Sequence, residues 1–125
     1  MYSRIYKGRA FKNKENVPMA EIDALVLRGV REFILQLKAI NMHVVDAYLF
    51  GSYAKESYSK WSDIDLAIIS PDFSDDRFEE RLRLMRIASR IDNRIEPVPF
   101  RPDNFSEDNP LVWEIKQHGI KVELE

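Results

Sequence analysis

Cysteine is absent from this 125-residue chain, which excludes a disulfide framework, a thiolate metal site and a thiol nucleophile together. Histidine is scarce, only His43 and His118, so a bound metal would have to be held mainly by oxygen, which points to Mg²⁺-type coordination. No apolar run approaches the roughly 20 residues that span a bilayer. The opening MYSRIYKGRAFKNKENV is charged but has no apolar signal core. A cytoplasmic protein without membrane contact is expected. Neither charge dominates: 19 basic against 21 acidic residues leave a formal −2, so no global basic field steers the chain onto nucleic acid. What is present, 45% hydrophobic and 32% charged residues, suits one soluble domain with one core.

Residues 1–18 read as a basic arm in which Arg4, Lys7, Arg9, Lys12 and Lys14 alternate loosely with Tyr2, Tyr6 and Phe11; residues 19–125 read as a single domain. Apolar spacings of three and four from Ile22 to Leu37 predict an amphipathic helix from Pro18 to Asn41. Val44 to Phe50 is short, β-branched and aromatic, hence a strand, which Gly51 ends before a helical turn from Ser52. Ile64 to Ile69 is nearly continuous apolar sequence, the pattern of a central strand covered on both faces. A helix capped at Asp72 or Ser74 and running to about Asp92 is expected to turn Phe78, Leu82, Met85 and Ile91 inward. Arg94 to Phe100, with prolines at 97 and 99, reads as an edge strand. Pro110 to His118 reads as a short helix with Gly119 at its C-terminal cap, and Ile120 to Leu124 as a last strand. His43 and His118 flank helix ends, where dipole and capping roles suit them better than metal ligation. The order predicts an α/β (α+β) domain, a small mixed sheet with helices packed on it.

Asp63 and Asp65 interrupt this pattern. Alternation along a strand turns both to one face, roughly 6–7 Å apart at the backbone. Two like charges beside an apolar sheet repel and lose hydration. Their oxygens can instead converge on one cation, or on two spaced about 3.5–4 Å. Ten residues before the pair stand Gly51 and Ser52. A glycine there lets a ligand approach the backbone, and a turn opening at Ser52 offers N–H groups and a hydroxyl to an anion. A triphosphate with Mg²⁺ uses both halves.

The stretch LFGSYAKESYSKWSDIDLAII resembles the signature of the DNA polymerase β-like nucleotidyltransferase superfamily, Gly-Ser, ten residues, Asp-x-Asp. It is most similar to the small single-domain minimal nucleotidyltransferases of bacteria and archaea, over about residues 20–124. The resemblance implies a third metal carboxylate on the strand after the next helix, where Glu96 is the only acid in RIEPVPF. It further implies two Mg²⁺ ions held by Asp63, Asp65 and Glu96, and ATP anchored by its outer phosphates at Gly51 and Ser52. AMP would then pass to an acceptor hydroxyl. Lys55 keeps a charge able to meet phosphate where many small members carry arginine, and Glu56 departs from their glycine. Lys60 could lie near the triphosphate or in solvent, and Trp61 could stack on a base or pack on the sheet. Minimal members commonly pair with a helical HEPN-domain protein, so a toxin–antitoxin role with a partner tyrosine as acceptor is expected. A non-catalytic binding subunit or transfer to a small molecule such as an aminoglycoside are the alternatives. Nucleic acid is disfavoured as direct substrate, and a homo-oligomer is compatible with such a domain.

Overall fold

The structure, a computed structural model, describes residues 24–55, 58–59 and 62–124. The arm at 1–18, the helix start at Pro18, and Glu56, Lys60 and Trp61 lie outside the described residues. Helix α1 (Ala24–Ala39) turns the apolar spacing into one buried stripe, with Val26, Leu27, Val30, Phe33, Ile34 and Leu37 at most 5% exposed. It closes at Asn41, in the left-handed region at φ 68°, while the Met42 N–H donates to the Leu37 carbonyl at 3.0 Å. Asparagine tolerates that conformation where most residues do not.

There follow β1 (Asp46–Phe50), a single 3₁₀ turn (Gly51–Tyr53), β2 (Ile64–Ile69), α2 (Arg77–Ala88) and β3 (Ile95–Phe100). A second 3₁₀ turn (Pro102–Asn104), α3 (Pro110–His118) and β4 (Ile120–Lys121) complete the described chain. The sheet order is β3-β2-β1-β4. Strand β1 runs antiparallel to β2 and to β4, and β2 runs parallel to β3. The sheet is mixed as expected, with β2 inside it and β3 at an edge. Among the described residues no helix is long and apolar enough to cross a membrane.

Alternation divides β2 between two cores. Ile64, Leu66 and Ile68 pack under α1 and α2 with Val30, Phe33, Leu37, Leu84 and Ala88. Ala67 and Ile69 pack under α3 with Phe100, Val112 and Ile115. Asp65 shares the parity of the second set, so it points to the α3 side.

Several boundaries differ from the sequence expectation. Asp76, rather than Asp72 or Ser74, caps α2, its Oδ1 accepting the Glu79 N–H at 3.1 Å. Asp72 accepts the His43 backbone N–H instead, at 2.7 Å. Helix α2 ends at Ala88 and buries Glu80, Leu84 and Ala88, whereas Phe78 is 71% and Met85 38% exposed. Apolar residues lie on both sides of this helix, so periodicity alone misplaces Phe78 and Met85, whereas Ile91, just beyond the helix, packs against the core as expected. Glu80 tolerates burial because its carboxylate accepts the Ser74 N–H at 2.8 Å and meets Arg83 at 3.2 Å. Strand β4 is two residues long, although the Val122 N–H still reaches the Ala47 carbonyl at 2.8 Å. Pro110 opens α3 as the sequence predicts, and Asn109 caps it, its Oδ1 accepting the Leu111 N–H at 2.9 Å. Gly119 ends it at φ −71°, and glycine is needed there for closeness: a Cβ would lie 2.5 Å from the Ile115 carbonyl and 3.2 Å from that of Leu49.

Candidate active site

The glycine after β1 adopts φ 69°, a conformation that disfavours every residue with a side chain. Space imposes the same choice. A Cβ built on Gly51 would collide with the Asp65 carboxylate, with Cγ only 3.2 Å away. The bare backbone of Gly51 and the Asp65 side chain thus share one small volume at the mouth of the sheet. Ser52 follows, half-buried, in a turn anchored by Tyr53, which is fully buried and stacked on Tyr58 at 4.4 Å. The turn spans three residues, so its dipole is slight. Lys55 is exposed, and its Nζ stands 3.7 Å from Glu114 Oε2 on α3.

Asp63 is exposed just ahead of β2, and a small turn sets it there: the Ser59 N–H donates to Ser62 Oγ at 2.9 Å, and the Ser62 N–H to the Ser59 carbonyl at 3.0 Å. The Ile64 N–H then bonds the Arg94 carbonyl at 2.8 Å, tying the start of β2 to that of β3. In register Phe50 lies beside Asp65, and Asp65 beside Glu96. Paired residues in adjacent strands face the same side, so Glu96 arrives next to Asp65 although 31 positions separate them, counting 65 to 96.

Electrostatics record the gathering. Burial raises the pKa of Asp65 first, then the charges of Asp63 and Glu96 raise it further, while Arg81 acts in the opposite sense. Glu96 is engaged from outside: Arg81 Nη2 stands 3.4 Å from its Oε1. Among the described residues no three acidic or histidine side chains are grouped as ligands of one metal ion. The structure therefore brings Gly51, Ser52, Asp63, Asp65 and Glu96 to one sheet end, with Lys55 held toward α3 and Glu96 turned to an arginine. Sequence reading missed Arg81 and Glu114 as members of this neighbourhood. Arg81 is one of four arginines in α2, and only the β2–α2–β3 crossover distinguishes it.

The sequence model of the nucleotidyltransferase domain family matches residues 27–122. The chain belongs to that family. This nucleotidyltransferase is 26% identical over 102 residues to a candidate protein adenylyltransferase of Methanocaldococcus jannaschii, covering 78% of this chain and 98% of the relative. Among solved structures it is similar to the toxin–antitoxin MntA–HpeT, at 25% identity and a TM-score of 0.54, over 75% of this chain and 71% of that one. A toxin–antitoxin with AMP-PNP matches at 25% identity and TM-score 0.51, over 76% and 73%. A candidate nucleotidyltransferase from Sulfolobus solfataricus, 19% identical with a TM-score of 0.51 over 83% and 88%, shares the fold. The resemblance read from Gly51-Ser52 and Asp63-x-Asp65 thus leads to the right family, and the chain is an enzyme of the nucleotidyltransferase class.

Proposed function

We propose that this nucleotidyltransferase moves AMP from ATP to a hydroxyl of a partner protein, a tyrosine of a HEPN-domain toxin that it counteracts. The observation that carries the reading is the register of the sheet. Phe50, Asp65 and Glu96 lie abreast on three strands, and the glycine after Phe50 turns its bare Cα onto the Asp65 carboxylate. The adenylyltransferase name of one relative and the toxin–antitoxin neighbours, one with AMP-PNP, support the nucleotide and the partner.

A divalent cation fits this donor set. All its ligand atoms are oxygen, and the like charges around Asp65 that raise its pKa are what a cation would relieve. Asp63 and Asp65 would hold the nucleotide's Mg²⁺, and Glu96 would join them at a second ion. Mg²⁺ bound there supplies a lower pKa for the acceptor hydroxyl and a counter-charge for departing pyrophosphate. The chain itself holds the outer phosphates against Gly51 and Ser52, with Lys55 as a nearby point charge. The acceptor oxygen bonds to the α-phosphorus as the bond from that phosphorus to the β-phosphate oxygen breaks. Asp65 or Glu96 takes the hydroxyl proton.

Helix α2 offers the partner a surface. Phe78 and Met85 stand exposed on its outer side with half-buried Leu82 between them and Arg86 beside them, which suits a partner protein with an apolar centre and an acidic rim. The same helix sends Arg81 to Glu96, so a protein seated there would stand beside the carboxylates. One observation favours a binding subunit without catalysis as a second reading: Glu96 is engaged by Arg81 rather than grouped with Asp63 and Asp65.

Co-expression with a HEPN-domain partner and intact mass measurement test the proposal. The partner is expected to gain one adenylyl group with the wild type and none with Asp63→Asn/Asp65→Asn. A partner bound but unmodified by the wild type would transfer the conclusion to the second reading.

A further inference from the structure

Helix α2 runs back along β3, and its arginines meet that strand one turn apart. The Arg77 guanidinium lies 5.2 Å from the Phe100 ring and donates to the Pro99 carbonyl at 3.4 Å. Arg81, one turn on, reaches Glu96 Oε1 at 3.4 Å. The Arg81 and Glu96 side chains are 45% and 32% exposed, so the pair is solvated enough to exchange partners. Of the three acidic residues at the sheet end, Glu96 alone is the one recorded in an ion pair among the described residues.

We propose that Arg81 is a latch on Glu96, holding this carboxylate in the cation-free protein and yielding it when the second cation enters. The inference rests on the cation site proposed above and adds a residue that no motif contains. Arg81 acts through Glu96 and is therefore a positioning residue. Each cation that recruits Glu96 must first displace the guanidinium, so Arg81 lowers cation affinity by the strength of one exposed pair, about two- to fivefold.

The test is Mn²⁺ titration of the full chain, with free Mn²⁺ followed by electron paramagnetic resonance. The proteins are the wild type, Arg81→Gln, Arg81→Lys, Glu96→Gln, the Arg81→Gln/Glu96→Gln double variant and Asp63→Asn/Asp65→Asn, each checked for folding by circular dichroism. Arg81→Gln is expected to bind Mn²⁺ about two- to fivefold more tightly. In the Glu96→Gln background the same change is expected to gain less, because only the loss of a positive field remains. Arg81→Lys keeps the charge without the fork and is expected to fall between wild type and Arg81→Gln. Equal gains with and without Glu96 would overturn the latch in favour of a field effect. Unchanged affinity in Arg81→Gln would overturn it in favour of a purely structural ion pair. Wild-type binding that is absent, or insensitive to Asp63→Asn/Asp65→Asn, would overturn the cation site itself and the latch with it, a result distinct from the other two.

Discussion

Gly51 answers two constraints with one missing atom, since both its φ of 69° and the Asp65 carboxylate against it forbid a side chain. Gly51→Ala is expected to lose at least about 1–2 kcal/mol of stability from the backbone conformation alone. The displaced Asp65 should also weaken nucleotide binding; denaturant unfolding and calorimetric titration measure the two effects. Asp65 supplies a pH signature. Its pKa is raised from the ordinary 3.8, by burial first and by Asp63 and Glu96 next. A carboxyl raised in the folded state costs stability once ionised, and that cost is absent below the unfolded value and complete above the folded one. Asp65→Asn is therefore expected to raise the melting temperature of the cation-free protein at neutral pH. The gain should shrink as pH falls through the raised pKa and vanish below about 3.8. A mutant that melts lower than wild type at neutral pH would contradict this electrostatic account.

Elements differed in how plainly the sequence announced them. Helix α1 has one apolar stripe and α3 carries its own start signals, Asn109 and Pro110, so both were legible. Helix α2 was legible as a helix but not in its buried face, because Phe78 and Met85 repeat at helical spacing on the side away from the core, while a satisfied Glu80 and small Ala88 share the buried one. That inversion has a measurable consequence. Phe78→Asp/Met85→Asp should leave stability within about 0.5 kcal/mol per site, since both side chains are exposed, but should weaken a partner complex in a pull-down with the purified partner. Leu84→Ala, on the buried face, should instead cost about 2–5 kcal/mol in denaturant unfolding. If the outer pair proved as costly as Leu84, that side would be core and the surface reading would fall.

The whole molecule explains which part of the site a sequence can show. Asp63, Asp65, Gly51 and Ser52 lie within one strand–turn–strand unit, where period two and a fixed spacing reveal a shared face. Glu96 enters only through the parallel pairing of β2 with β3, and family resemblance rather than periodicity pointed to it. Arg81 and Glu114 arrive from two helices on opposite sides of the sheet, which no local pattern encodes. The mixed order β3-β2-β1-β4 is what makes one sheet end a meeting place for residues from five elements. The central claim is that this meeting place binds a nucleotide with its cation. Isothermal titration with a non-hydrolysable ATP analogue, with and without Mg²⁺, tests it most directly when wild type and Asp63→Asn/Asp65→Asn are compared. Mg²⁺-dependent binding by the wild type that the double variant loses is the predicted result; equal binding by both folded proteins, or none by either, would contradict it.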